Sequence, residues 1–167
     1  SGTYKSEQGH AYVAFTYSHQ GYSKPILRWA ETNATIVLDS ENPENSTLTV
    51  SIPAASIDSG VAKFDEHLVG PDFFDVAQHP TARFEASTFE TADTTGATHM
   101  VTGNLTMMSV TKSVRFPATI AVNESGVTAT ADFIINRQEW GMAYPGMEDD
   151  LISDDVRIMF DIKATAK

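Results

Sequence analysis

Five histidines (His10, His19, His67, His79 and His99) and 22 acidic side chains are the groups from which this chain would have to build a metal site or an acid–base pair. The histidines are scattered, with no H-E-x-x-H pair, so the spacing that sets two zinc ligands on one helix face is missing. The acidic runs Glu148-Asp149-Asp150 and Asp154-Asp155 lack the alternating oxygen ligands and central glycine of a calcium loop. Their closeness in sequence also says nothing about the separation two carboxylates need across a glycosidic bond. They read as a solvated acidic loop. Ser56, Ser59 and Ser109 have no G-x-S-x-G context, and no cysteine is present to serve as thiolate, metal ligand or disulfide partner. The expectation is a protein with no catalytic residues and no metal site, one that acts by binding.

Composition narrows what it would bind. The 11 basic residues against 22 acidic ones give a formal charge of −11, which repels nucleic acid and anionic membrane surfaces. No apolar run approaches the roughly 20 residues of a membrane-spanning helix. At 167 residues the chain reads as a single domain over 1–167, long enough to bury a sizeable core or to wrap one around a ligand.

The elements that must position any site are strands. Apolar residues recur at a period of two, the mark of half-buried strands. Val13, Phe15 and Tyr17 alternate with Ala14 and Thr16, and Leu48, Val50 and Ile52 with Thr49 and Ser51. The pattern returns at Ala82–Ala86, Val101–Met107, Val114–Val122, Val127–Ile135 and Val156–Ile162. With the run at Ile36 to Leu38 this makes about eight strands, separated by turn chemistry at Asp39–Pro43, Asp93–Gly96 and Asn123–Gly126. The apolar parity changes between Leu27 and Trp29 on one side and Ile36 and Leu38 on the other, which predicts a bulge or bend at Glu31 to Asn33. Only residues 54–76 break the alternation: Ile57, Val61, Phe64 and Leu68 fall at helical spacing, and Gly70-Pro71 ends it. A short helical segment plugging one end of a barrel is expected there.

Inward positions mix large and small residues. Small ones, including Ala82, Ala86, Gly103, Ala118, Ala129 and Ala131, leave room for a ligand in a barrel of about eight strands. The same residues could instead interdigitate with Phe15, Phe84, Phe116, Phe133 and Phe160 in a filled core. On residue pattern alone both readings stand.

The segment Ala54 to Phe84, AASIDSGVAKFDEHLVGPDFFDVAQHPTARF, resembles the YceI-like family. So do V-T-G-N-L-T at Val101–Thr106, V-T-K-S-V at Val110–Val114, I-N-R-Q-E-W-G at Ile135–Gly141 and D-D-V-R-I at Asp154–Ile158. These pieces occur in order along nearly the whole chain. The resemblance implies a closed, lipocalin-like antiparallel barrel that carries a polyisoprenoid lipid in an internal hydrophobic tunnel, with no catalysis. Two departures stand out: Met108-Ser109 where the family usually has His-Gly, and Phe64 where it commonly has arginine. The polar or anion contacts those family residues would make do not transfer.

The expected ligand-binding set follows. Phe15, Tyr17, Phe84, Met107, Phe116, Ala129, Ala131, Phe133 and Phe160 would line the tunnel. Trp29, Trp140, Met142 and Tyr144 would form its mouth, since aromatic and thioether groups make adaptable apolar contacts. His19, in phase with Phe15 and Tyr17, would point to the opening or to solvent. Gly141 would let the backbone approach the ligand closely, and Arg137 would either donate to a head-group oxygen or pair with an acidic neighbour. A strand of about ten residues spans roughly 34 Å, a length suited to several isoprene units. The charge balance and Phe64 favour a neutral head such as ubiquinone over a pyrophosphate. A fatty acid or fatty amide carrier is the alternative, and a polysaccharide-binding β-domain a more distant one. A periplasmic or secreted setting is expected, with the chain a homodimer or a module of a larger secreted protein.

Overall fold

The computed structural model describes residues 1–148 and 150–166; Asp149, in the acidic run noted above, and Lys167 lie outside the described residues. In chain order the elements are β1 (Gly2–His19), β2 (Ile26–Trp29), β3 (Asn33–Leu38), β4 (Thr47–Pro53), β5 (Ile57–Asp58), α1 (Ala62–Leu68), β6 (Thr81–Thr91), β7 (His99–Met107), β8 (Val110–Asn123), β9 (Gly126–Asn136), β10 (Gly146–Met147) and β11 (Asp150–Ala166). Pairing runs β1-β3-β4-β6-β7-β8-β9-β11 and returns to β1, a closed antiparallel barrel of eight strands with β2, β5 and β10 as short additions. The first and last long strands seal it, with Val13 opposite Phe160 and Phe15 opposite Ile158. Closure removes the open sheet edges that would otherwise template aggregation.

The parity break at residues 31–33 is a real bend. Val13 to Thr16 of β1 pair with Trp29 to Ile26, whereas Gly2 to Lys5 pair with Leu38 to Thr35, so β2 and β3 are two halves of one barrel wall. Thr32 is fully buried at the corner. Its carbonyl accepts from Gln8 Nε2 at 3.2 Å, and Ser6 Oγ accepts the Ala34 N–H at 2.9 Å. A second irregularity was not legible in the alternation: Ser87 is extra between the pairs Ala86–Gly103 and Thr88–Thr102. This bulge moves the inward phase of β6 from Ala86 to Phe89.

The 54–76 segment holds less helix than its spacing suggests. A 3₁₀ turn (Ala54–Ser56) and the two-residue β5 precede the seven-residue α1. Ile57 and Leu68 are buried as expected, but Val61 is 57% exposed at the N-cap of α1 and does not pack inward. Leu68, Phe73 and Phe74 turn into the barrel and close one end of it.

Candidate ligand-binding site

Among the described residues, two apolar cavities lie in the barrel interior with a layer of rings between them. At the helix end, about 60 Å³ of free space is enclosed by Phe15, Tyr17, Trp29, Leu68, Phe73, Phe74, Met107, Ile135 and Met142, with Ile152, Val156 and Ile158 of β11 opposite. At the far end, about 160 Å³ lies between Ile36, Leu38, Leu48, Phe89, Ile120, Val122, Val127 and Ala129, with His99 and Ser46 at its edge. The two share no lining residue. Along β9 the far cavity touches Val127 and Ala129, the helix-end cavity touches Ile135, and Ala131 and Phe133 lie between.

That middle layer is an aromatic quartet. Phe116, 1% exposed, stacks on Phe133 with ring centroids 4.1 Å apart and planes within 6°. Phe84 meets Phe116 at 5.6 Å with the planes tilted by 44°, and Phe160 meets it edge-on at 5.8 Å, the T-shaped geometry that ring quadrupoles favour. Gly103 makes room for it: a Cβ there would sit 2.6 Å from both Phe84 Cζ and the Glu85 carbonyl oxygen. Rings from four strands thus meet at the barrel centre, between the two cavities. Packing there is not tight throughout, since the inward residues Phe84, Val114, Phe133, Val156, Ile158 and Phe160 are only half-buried.

The helix-end cavity adjoins a cleft of about 390 Å³, with which it shares Tyr17, Phe73 and Ile152. His19, Phe64, His67, Tyr144 and Met147 line this mouth, with Ile26 and Val61 on its rim. Ile26, Val61 and Met147 are 72%, 57% and 67% exposed, an apolar lip at the entrance. His67 Nε2 lies 2.9 Å from Asp72 Oδ2 near the end of α1, and its ring meets Phe73 and Tyr144 edge-on at 5.0 and 5.3 Å. It thus fastens the helix cap to the 144–147 loop.

Of the expected residues, Phe15, Tyr17, Trp29, Met107 and Met142 come together around the helix-end cavity, and His19 and Tyr144 stand at its mouth. Ala129 lines the opposite cavity, while Phe84, Phe116, Ala131, Phe133 and Phe160 belong to the middle layer. Trp140 is not at the mouth. It is 1% exposed and its Nε1 donates to the Leu105 carbonyl at 2.9 Å, so its polar edge is already satisfied within the wall. Gly141 has open space where a Cβ would stand, and its φ of 81°, in the left-handed region, caps the 3₁₀ turn Arg137–Trp140.

Arg137 takes the structural role. It is 4% exposed, its Nε donates to the Ser153 carbonyl at 3.0 Å, another nitrogen donates to the Met142 carbonyl, and Nη2 reaches Asp154 Oδ1 at 3.2 Å. Burial pulls its guanidinium below the ordinary arginine value, with the charges of Asp154 and Tyr17 acting the other way. It stitches the loop before β10 to β11 and so holds two sides of the cavity in place. Phe73, Phe74, Leu68 and Ile152 were missed as lining residues. The adjacent phenylalanines after Gly70-Pro71 were the available signal for the first two, while Ile152 was hidden in an acidic stretch. Among the described residues, no cluster of three or more His, Cys, Asp or Glu side chains has metal-binding geometry, and no helix is long and apolar enough to cross a membrane.

Known proteins of similar sequence and fold agree with this architecture. The chain is 39% identical over 108 residues to a UPF0312 protein of Azotobacter vinelandii, covering 65% of this chain and 55% of that one. It is 32% identical over 160 residues to a UPF0312 protein of Pseudomonas putida, covering 91% and 81%. The match thus spans little more than half the length of the Azotobacter relative. The crystal structure of BcnA from Burkholderia cenocepacia superposes with a TM-score of 0.83 at 24% identity, covering 96% of this chain and 99% of that one. A polyisoprenoid binding domain from Saccharophagus degradans, implicated in plant cell wall breakdown, gives 0.79 at 11% identity, covering 99% and 98%. The YceI-like domain pattern matches residues 4–164, and with that coverage this chain, a closed barrel around apolar cavities, belongs to the YceI-like family.

Proposed function

We propose that this protein is a carrier, not an enzyme, for a long-chain polyisoprenoid lipid of the quinone type. The observation that carries the reading is the helix-end cavity: apolar side chains line nearly all of it, and it adjoins a cleft with an exposed apolar lip. Burial of each methylene contributes roughly 0.8 kcal/mol, so a chain entering here binds without many polar contacts. The head and first isoprene units occupy the cavity and its mouth. The rest of the tail reaches the far cavity only when the phenylalanine quartet rotates aside, and the half-buried rings leave space for that movement. A neutral head is supported by the lining itself, in which, among the described residues, Arg137 is the sole lysine or arginine and its donors are engaged by protein oxygens. The description of the Saccharophagus domain as polyisoprenoid binding supports the same lipid class. The acidic composition fits a periplasmic or secreted setting. Organic extraction of protein purified from its native host, followed by lipid mass spectrometry, tests the proposal. A stoichiometric isoprenoid quinone is expected, whereas a fatty acid or fatty amide would replace the ligand class, and turnover of a lipid ester would replace the carrier role.

A further inference from the structure

Trp29 lies in the wall of the helix-end cavity, 7% exposed, and its indole Nε1 has no hydrogen-bond partner among the protein groups. Its ring neighbours are Phe15 at 4.9 Å and Phe74 at 5.6 Å, neither of which has an acceptor to offer. The contrast with Trp140, whose Nε1 is held 2.9 Å from the Leu105 carbonyl, is direct. Folding ordinarily leaves few buried donors unpaired, and each exception calls for an explanation. Thr16 and Thr32 also carry an unpartnered hydroxyl, but neither lines this cavity. The other polar residues of this wall are Tyr17, Arg137 and Ser153, and none of them accepts from the Trp29 N–H. The Arg137 guanidinium only donates and is engaged, and Ser153 Oγ donates to the Asp155 carbonyl at 2.8 Å while accepting the Ser18 N–H at 3.0 Å.

We infer that Trp29 Nε1–H is the recognition donor for a carbonyl oxygen on the head group of the bound lipid, so that this cavity selects a carbonyl-bearing lipid over a hydrocarbon of equal bulk. The inference rests on the proposal that the cavity holds a lipid. The buried positive charge of Arg137 in the same wall favours the oxygen-bearing end of the molecule here over the tail. Phe15 and Phe74 beside the indole provide flat apolar surface for a planar head.

The test uses two probes of nearly equal shape, geranyl-1,4-benzoquinone and geranylbenzene, which lacks the carbonyls. Protein labelled with ¹⁵N has two indole N–H signals, from Trp29 and Trp140. Addition of the quinone should move the Trp29 signal downfield and leave that of Trp140 in place; geranylbenzene should produce no such downfield shift. Trp29→Phe, which keeps a ring but removes the N–H, should weaken quinone binding about fivefold to tenfold, the worth of one hydrogen bond, and leave geranylbenzene unchanged. Quinone binding with an unmoved Trp29 signal, or equal losses for both probes in the variant, overturns the inference while leaving the lipid reading intact. Failure of both probes to bind the wild-type protein overturns the lipid reading and this inference with it.

Discussion

Replacing Phe116 with alanine should separate stability from binding in a way that only a ring barrier between two cavities explains. Phe116 is fully buried and contacts Phe84, Phe133 and Phe160. Removing a buried phenylalanine side chain costs about 3–5 kcal/mol. With a urea slope near 2–3 kcal/mol/M, the unfolding midpoint should fall by about 1–2.5 M. A long tail that crosses the barrel must break the same ring contacts. At about 0.5–1.5 kcal/mol each, three contacts amount to about 3 kcal/mol, a cost the variant no longer bears. The affinity of a long-tailed benzoquinone should therefore rise by up to a hundredfold, on the order of 3 kcal/mol. A short-tailed benzoquinone, confined to the helix-end cavity and its mouth, should bind as before. Isothermal titration of both ligands against the wild-type protein and Phe116→Ala measures the difference, with the milder Phe116→Leu as a folded control. Equal changes for long and short tails, or no gain for the long one, would refute the reasoning that the quartet divides the interior.

Further outcomes are expected elsewhere. Trp140→Phe should lower stability by about 1–3 kcal/mol, because the Leu105 carbonyl loses its donor inside the wall. It should leave the short-tailed quinone affinity unchanged, as calorimetry beside thermal denaturation will show. Gly103→Ala should destabilise the barrel by about 1–3 kcal/mol through overpacking, since the new methyl would meet the Glu85 backbone oxygen as well as the Phe84 ring; a lowered midpoint in urea is the readout. Hydrogen bonds from backbone N–H groups, that of Asn42 foremost, hold the Asp39 carboxyl below its ordinary value; for Asp58 the Gly60 N–H and then Arg28 do so, and for Asp132 Arg157 does. A depressed folded-state value means that the stabilisation is fully present above the unfolded carboxylate pKa of about 4 and is lost as pH falls through the folded one. Carboxyl-carbon NMR titration should find all three below the ordinary value. Asp39→Asn should make stability fall less steeply between about pH 4 and pH 2.

Much of the fold was legible because the strand period of two assigns each residue to a face regardless of what lies across the barrel. Val13, Phe15, Val50, Val101, Phe116 and Ile162 are all inward as their alternation required, and the parity change before Asn33 marked the bend at Thr32. The Ser87 bulge escaped notice because one extra residue in a strand leaves no turn chemistry behind it. Val61 kept helical spacing with Leu68 yet faces solvent, since spacing cannot say where a helix begins.

What the linear order determined by itself was most of the inward set, the barrel class and the lack of any cysteine chemistry; what it left to the tertiary structure was how the inward set meets. Phe84, Phe116, Phe133 and Phe160 come from four strands, and whether they stack or line a tunnel depends on the stagger of those strands across the barrel axis, which alternation does not encode. The two tryptophans make the same point. Both looked like mouth residues, but Trp140 turns its N–H to the Leu105 carbonyl of a strand 35 residues away, while Trp29 keeps its N–H unpaired beside a cavity. A hydrogen bond needs a partner within about 3 Å in a definite direction. That partner is set by the packed tertiary structure, which brings Leu105 to Trp140 and leaves no acceptor at Trp29.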